Sequence, residues 1–443
     1  MEGLGNWLQG VESIVWGPAM VFLLLGTGLL LTIRTRAVQV RRMGESLRQL
    51  RGRFSGTEKA AGDISPLQAL ATALGGKVGM GNIAGVATAI SLGGPGALFW
   101  MWMTALVGMA TIYGEVALSM KYRITAADGS MSGGPMYYLS RGFSNKKLGK
   151  ILALIFAGGA GLGALLAGVT IQSNAIADIF HRQFAVPLEI SGIVLTLLTG
   201  LVVIGGIHRI GKVAARLVPF MIVLYLLGGL CILLLRIHEI PGLLWLIVES
   251  AFNPASLGGG LAGAGIITVM QVGVNRGLFS NEAGWGVDPI FHGAAQEVQP
   301  HRQATVAMNG VLIDTIIVCT MTGLVILLAG GWQGDATSAT LTAQAFGQYL
   351  PLGEYLVAMC TLMFGISTMF VGCYQREKVI EYIVGTRYAK WYRYWYVAFV
   401  YVGAIFTVDQ IWSMNMILVA FAVLPNLLGL IVLSGEIAES ARQ

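Results

Sequence analysis

A segment long enough to cross a bilayer runs from Asp63 to Gly96 and is interrupted at its middle by GGKVGMGN, residues 75–82. Glycine costs about 1 kcal/mol relative to alanine inside a helix, and a lysine at mid-bilayer about 2.5 kcal/mol or more. Gly75, Gly76, Lys77, Gly79 and Gly81 are therefore poor material for a lipid-facing helix. A helix that unwinds at this depth is tolerated only where protein or a water-lined cavity surrounds it, and its freed carbonyls and N–H groups can then hold an ion or a small zwitterion. The spacing predicts a broken helix with a binding site at the break.

The remainder of the chain reads as a frame around that break. With 55% hydrophobic and only 11% charged residues among 443, it predicts an all-α polytopic membrane protein. Eleven apolar runs meet the spanning criterion, near 13–33, 64–90, 96–120, 150–180, 187–207, 213–235, 262–291, 303–330, 352–374, 391–408 and 411–434. The first is long enough to span and lacks a basic leader, so it reads as a membrane helix rather than a cleavable signal. Eight Lys/Arg follow it in residues 34–63, and placing that loop in the cytoplasm puts 24 of the 28 Lys/Arg inside. Only Arg182 and Arg236 fall outside, and Lys77 and Arg276 within the membrane. The expected topology is an N-terminus outside and a C-terminus in the cytoplasm, in a plasma membrane of the bacterial inner-membrane type. The net charge of +6 then reflects topology, and no nucleic-acid partner is implied. Cys231, Cys319, Cys360 and Cys373 lie in or beside apolar runs without metal-ligand spacing and read as packing residues.

A second interruption, VGVNRGLFSNEAGWGVDP from Val272 to Pro289, stands five spans after the first and in a span of opposite direction. One glycine cluster alone reads equally as close helix packing. Two breaks at matching positions predict an inverted repeat with the site between its halves. The expected organisation is an N-terminal helix and basic segment (1–62), a first five-helix repeat (63–238), an external connector (239–261) and a second five-helix repeat with the C-terminal tail (262–443). The connector reads as a candidate lid, residues 330–346 as a short external helix starting near Asp335, and residues 34–53 as a surface anchor or a plain basic loop.

The motifs VGMGNIAGVATAISLGGPGALFWMW, SGGPMYYL, QSNAIAD, GLFSNEAGWG, RQATVAMNGVLIDTIIVCT, ATLTAQAF and FGIST occur in order along nearly the whole chain. Together they resemble the alanine or glycine:cation symporter family of the amino acid-polyamine-organocation superfamily. The resemblance implies a LeuT-type fold, a 5+5 inverted repeat preceded by one extra helix. It also implies secondary active import of a small neutral amino acid coupled to sodium, with no other cofactor. The physical reading agrees, since helix N-termini and freed N–H groups suit a carboxylate and freed carbonyls suit an ammonium or a hard cation. Expected around the substrate are Lys77, Gly79, Met80, Gly81 and Asn82 of the first break, then Gln172. The second break contributes Gly277, Phe279, Ser280, Asn281, Trp285 and Asp288, and Gly372 completes the set. Asn174 reads either as a ligand contact or as an interhelical hydrogen bond. The resemblance implies a sodium site made by the carbonyls of Gly75 and Val78 with the hydroxyls of Ser367 and Thr368, although two such hydroxyls also bond back to their own helix.

Three departures from the family pattern fall at these positions. The first break usually reads GTVGTGN, where this chain has Lys77 and Met80. The second usually reads NEAGMGSAP, where it has Trp285, Val287 and Asp288, and Gly372 stands where a tryptophan is expected. Lys77 and Asp288 are candidate partners, and an ammonium at the break opens an alternative mechanism: a proton-coupled or cation-independent carrier or exchanger in which Lys77 replaces the bound cation. Glu115 and Asp314 read as hydrogen-bond acceptors for the broken helices, and Arg276 with Glu282 as a gate or an ion pair. No nucleophile sits beside a plausible base, so an enzyme is not expected.

Overall fold

The computed structural model of the chain describes residues 2–51, 61–166, 169–253, 265–334, 338–406 and 409–443. Among these, six helical stretches are long and apolar enough to cross a membrane, including Gly96–Tyr122, Gly206–Leu235, Pro300–Ala329 and Gly353–Val384. The N-terminal stretch among them, Gly10–Arg34, bends at Trp16 between Glu2–Val15 and Pro18–Arg34, and the expected fourth span is described as Lys146–Leu166 and Thr170–Phe184. Helix Gly353–Val384 continues well past its expected end near 374, which moves Arg376 from a basic loop into the bundle.

Both predicted interruptions are present, and each has an identifiable chemical cause. Ser65 and Gln68 form a reciprocal capping box and Pro66 occupies the first helical position, so helix Pro66–Lys77 starts sharply. It stops because the backbone turns extended at Val78 and the N–H of Gly79 bonds to the Asn82 side chain at 2.8 Å. The chain resumes as a wide turn, Gly81–Gly85, and helix Val86–Gly93.

The second break is shorter than the sequence suggests. Residues from Ile266 to Asn281 remain helical, so Gly277, Phe279, Ser280 and Asn281 do not supply the freed backbone expected of them, and the irregular segment is 282–287. The glycines before it serve packing. A Cβ on Gly273 would lie 2.3 Å from the Ala97 carbonyl oxygen, and one on Gly277 the same distance from Thr104 Oγ1, so they let this helix lie against Gly96–Tyr122. Within the break, Gly284 (φ +90°) and Gly286 (φ +75°) take conformations that side-chain-bearing residues avoid. Glu115 accepts from the Gly286 N–H at 3.0 Å and from Asn426 Nδ2 at 2.5 Å, and Asn426 donates to the Gly284 carbonyl at 2.8 Å. The chain re-enters a helix at Asp288–Gly293 with Pro289 in its first turn.

The starts of the first broken helix and the end of the second meet at the end of the bundle that carries the basic loops. Gln296 N–H donates to the Ile64 carbonyl at 2.8 Å and Asp63 N–H to the Ala294 carbonyl at the same distance. Arg123 staples the junction, donating to the carbonyls of Gly293, Ala295, Glu297 and Ala61. Residues 34–51 dock on the bundle, with Ser46 donating to the Thr305 carbonyl. At the opposite end, helix Ile240–Phe252 packs where Gly96 leaves no room for a side chain, and Thr342 of helix Ser338–Tyr349 donates to the Ile83 carbonyl at 2.9 Å. The glycine-rich end of the candidate lid, 254–264, and Asp335 lie outside the described residues.

Removing the acceptor at Glu115 leaves two buried donors unsatisfied, a loss of about 1–3 kcal/mol. Glu115→Ala is expected to lower the unfolding temperature in detergent, and Glu115→Gln, which keeps a carbonyl oxygen, to retain most of it. Equal loss in both variants would assign the role to the charge instead.

Candidate functional site

The first break controls one carbonyl. In a continuous helix the Gly75 oxygen would accept from the N–H of Gly79, but that N–H is taken by Asn82. The Gly75 oxygen instead accepts from Ser367 Oγ at 3.1 Å and Thr368 Oγ1 at 3.2 Å, while both hydroxyls also reach the Phe364 carbonyl of their own helix. Three uncharged oxygens thus converge between the first broken helix and Gly353–Val384, a donor set that suits a hard cation. Val78 is fully buried beside them.

Asn82 also ties the two breaks together. Its Nδ2 donates to Asp314 Oδ1 at 2.7 Å and to the Asp314 carbonyl at 3.0 Å, and lies 3.3 Å from Ser280 Oγ. Ser280 and Thr315 donate to Asp314 Oδ2 at 2.9 and 2.7 Å. Cys319, expected only to pack, joins the same network, with its Sγ 3.3 Å from Asn82 Nδ2. The segment around Asp314 is wound as a wide π-type helix, Leu312–Cys319, which gives it the room to turn side chain and carbonyl to one neighbour. Ser280 and Asn82 therefore hold the frame. A Cβ on Gly81 would lie 3.1 Å from the Ser280 Cα, so the two broken helices approach backbone to backbone there.

Beside this frame is a cavity of about 110 Å³. Lys77, Gly79, Met80 and Gly81 of the first break, Gln172, and Phe279 and Trp285 near the second all line it. Gln172 Oε1 is buried with no hydrogen-bond partner among the described residues. Asp288 stands next to the cavity, where its carboxylate takes the Lys77 ammonium in an ion pair with both side chains almost fully buried. This pair fastens helix Pro66–Lys77 to helix Asp288–Gly293. Glu282, Arg376, Thr368 and Asn415 also line the cavity.

Several expected positions lie elsewhere. Gly277 packs on Thr104, and Asn281 turns to the chain after its helix, accepting from the Ala283 N–H at 3.1 Å. Asn174 donates to the Phe406 carbonyl rather than toward the cavity. Gly372 is covered by the Arg376 side chain. Among the described residues Arg276 does not pair with Glu282: it lines a separate pocket with Glu12 and Trp16, which shares only Phe279 and Trp285 with the central cavity. Phe279 meets Trp285 edge-on and Trp16 lies tilted against Trp285, with centroids 5.8 and 5.9 Å apart, and the three rings form the partition between the two. On the basic side, Phe291 packs against Tyr374, which lines a polar pocket of about 440 Å³ with Lys378, Glu381, Asp128 and Lys390. Arg376 carried no legible signal, because its distance past the expected end of its span makes it read as one more basic-loop residue.

Among solved structures, MhsT in complex with L-phenylalanine aligns with a TM-score of 0.55 at 13% identity, over 87% of this chain and 99% of MhsT. The manganese transporter of Eremococcus coleocola aligns with a TM-score of 0.51 at 15% identity, over 81% and 75%. At such identities the likeness shows the fold alone, a LeuT-type arrangement of two inverted repeats. The sodium/alanine symporter AgcS of Methanococcus maripaludis is 43% identical over 98% of this chain and 95% of its own length. An uncharacterized transporter of Haemophilus influenzae is 42% identical over 98% and 95%. The model of the sodium:alanine symporter family matches residues 1–443, and this multi-pass membrane transporter belongs to that family.

Proposed function

We propose that this protein imports a small neutral amino acid, alanine- or glycine-like, together with sodium by alternating access. The observation that carries the reading is the Gly75 carbonyl, released from its helix and gripped by Ser367 and Thr368 beside the central cavity. A dry cavity of about 150 Å³ holds benzene, with its six heavy atoms. Alanine also has six, so about 110 Å³ suits a short side chain and little more. AgcS of M. maripaludis, named a sodium/alanine symporter, supports the same substrate pair. The basic end faces the cytoplasm in this reading, which leaves the N-terminus outside and the C-terminus inside a bacterial-type inner membrane.

The coupling follows from where the cation sits. Sodium bound by the Gly75, Ser367 and Thr368 oxygens joins the first broken helix to its scaffold, so it favours conformations in which the two are held together. Release toward the cytoplasm then requires the Ile64–Gln296 main-chain stitch and the Lys77–Asp288 pair to part. One charge moved inward yields about 2.3 kcal/mol per 100 mV, which supports roughly fiftyfold accumulation of substrate. Uptake of labelled alanine into proteoliposomes, with sodium and proton gradients imposed separately, tests the reading. Accumulation driven by sodium is expected, and uptake indifferent to sodium overturns the coupling.

A second reading, proton coupling or cation-independent exchange through Lys77, draws on the buried Lys77–Asp288 pair. The ammonium is committed to Asp288, with Gly310 at its other side, and not to the Gly75 oxygen, which favours the sodium mechanism.

Ser367→Ala with Thr368→Ala removes two oxygen ligands and is expected to raise the sodium concentration for half-maximal uptake about tenfold or more, alanine remaining saturable. An unchanged sodium response with intact transport would move the cation elsewhere. Lys77→Thr and Asp288→Ala each leave one buried charge unpaired, a loss of about 3–5 kcal/mol, so each is expected to depress folded yield and uptake. The double variant should recover part of both, and simple additivity in that cycle would show that the pair carries no coupling.

A further inference from the structure

Two opposite charges line the central cavity without partners. Glu282 ends helix Ile266–Asn281 in a left-handed conformation (φ +54°), and Arg376 projects from Gly353–Val384. No hydrogen bond or ion pair engages either side chain among the described residues, and the two do not bond each other. The charges around them are already engaged. Asp288 holds Lys77, Asp314 holds Asn82, Ser280 and Thr315, and Glu115 holds the second break. Toward the basic end, Glu377 holds Arg393 and Glu381 holds Lys378.

Arg376 reaches this position because of a residue one turn earlier. A Cβ on Gly372 would lie 2.2 Å from Arg376 Nη1 and 3.3 Å from the Tyr396 hydroxyl. The guanidinium therefore lies across the bare face of Gly372, and any side chain there would displace it. Tyr396 is fixed by donating to the Met369 carbonyl at 2.8 Å, so it gives no room on the far side.

Both side chains are half-buried, and an unpaired charge drawn partly out of water is costly unless a ligand completes it. A free amino acid carries one carboxylate and one ammonium, the complement of this cavity. We propose that Arg376 and Glu282 form a clamp for the two charged ends of a zwitterion, Arg376 taking the carboxylate through its planar fork and Glu282 the ammonium. The clamp rests on the reading of this cavity as the substrate site. It assigns recognition of the substrate's α-carboxylate and α-ammonium to two side chains, and it makes Gly372 a specificity-determining residue that acts through Arg376. Compounds lacking either charged end are excluded by the charge they leave unpaired.

Competition with labelled alanine uptake in proteoliposomes distinguishes the outcomes, using unlabelled alanine, alaninamide, which lacks the carboxylate, and lactate, which lacks the ammonium. Arg376→Gln is expected to raise the half-saturating alanine concentration about ten- to a hundredfold and to erase the preference for alanine over alaninamide. Arg376→Lys should restore part of that preference. Glu282→Gln should erase the preference for alanine over lactate and leave the alaninamide ratio in place. Gly372→Ala, which shifts the guanidinium and leaves its charge, should reproduce Arg376→Gln in weaker form, and it keeps the test available if Arg376→Gln does not fold. Folded variants that keep the wild-type ratios overturn the clamp and leave the transporter reading standing. A wild type that takes up no amino acid overturns both.

Discussion

The Gly75 carbonyl is available because the Gly79 N–H, its natural helical partner, is bonded to the side chain of Asn82. Much of the centre of the molecule depends on that exchange. With the hydrogen bond diverted, the first helix ends at Lys77, one carbonyl turns to Ser367 and Thr368, and the chain restarts beside Ser280 of the second broken helix. Asn82 is itself oriented by Asp314, whose second carboxylate oxygen accepts from Ser280 and Thr315. One carboxylate therefore sets the relative position of both breaks. A helix that opens inside a membrane must recover every hydrogen bond it gives up, and here Asn82 of the same segment takes the Gly79 N–H while Ser367 and Thr368 of helix Gly353–Val384 take the Gly75 carbonyl.

The same accounting explains the second break by different residues. Glu115 and Asn426 satisfy Gly286 and Gly284, and the two glycines supply the positive φ that the turn requires. The halves of the broken helices nearer the basic loops are then joined by the Lys77–Asp288 pair and by a main-chain bond between Ile64 and Gln296. Three aromatic rings, Trp16, Trp285 and Phe279, partition the cavity from the other side. The two closures are chemically unlike. One is polar and directional, built of hydrogen bonds and a charge pair, and the other is apolar and depends on ring positions. Opening one without the other is what alternating access demands, and closures of different chemistry respond to different triggers.

Much of this was legible in the chain itself. Mid-membrane glycines beside Lys77 announced a break because no lipid-facing helix tolerates them, and the distribution of Lys/Arg gave a consistent set of loops. Asp314 and Glu115 were readable as acceptors because an acid buried in an apolar run has to be hydrogen-bonded. The second break was readable in existence but not in extent. Gly273 and Gly277 resemble the glycines of a break, yet they sit in a regular helix, since the same absence of Cβ also serves close packing on Ala97 and Thr104. Composition cannot separate these two uses of glycine, because only the neighbouring helix determines which applies.

The sequence by itself determined that the chain is a membrane bundle with two opposed broken helices, because hydrophobic length, glycine placement and charge asymmetry are local properties that each segment carries with it. Tertiary structure alone decided what faces the cavity. Glu282 and Arg376 line it while Asn174, Gly277 and Asn281 do not, and Arg376 arrives there only because its helix runs on to Val384 and Gly372 leaves its path clear. Which side chains meet depends on how far a helix continues and on what its partners leave unfilled, and both are fixed by packing between segments remote in the chain.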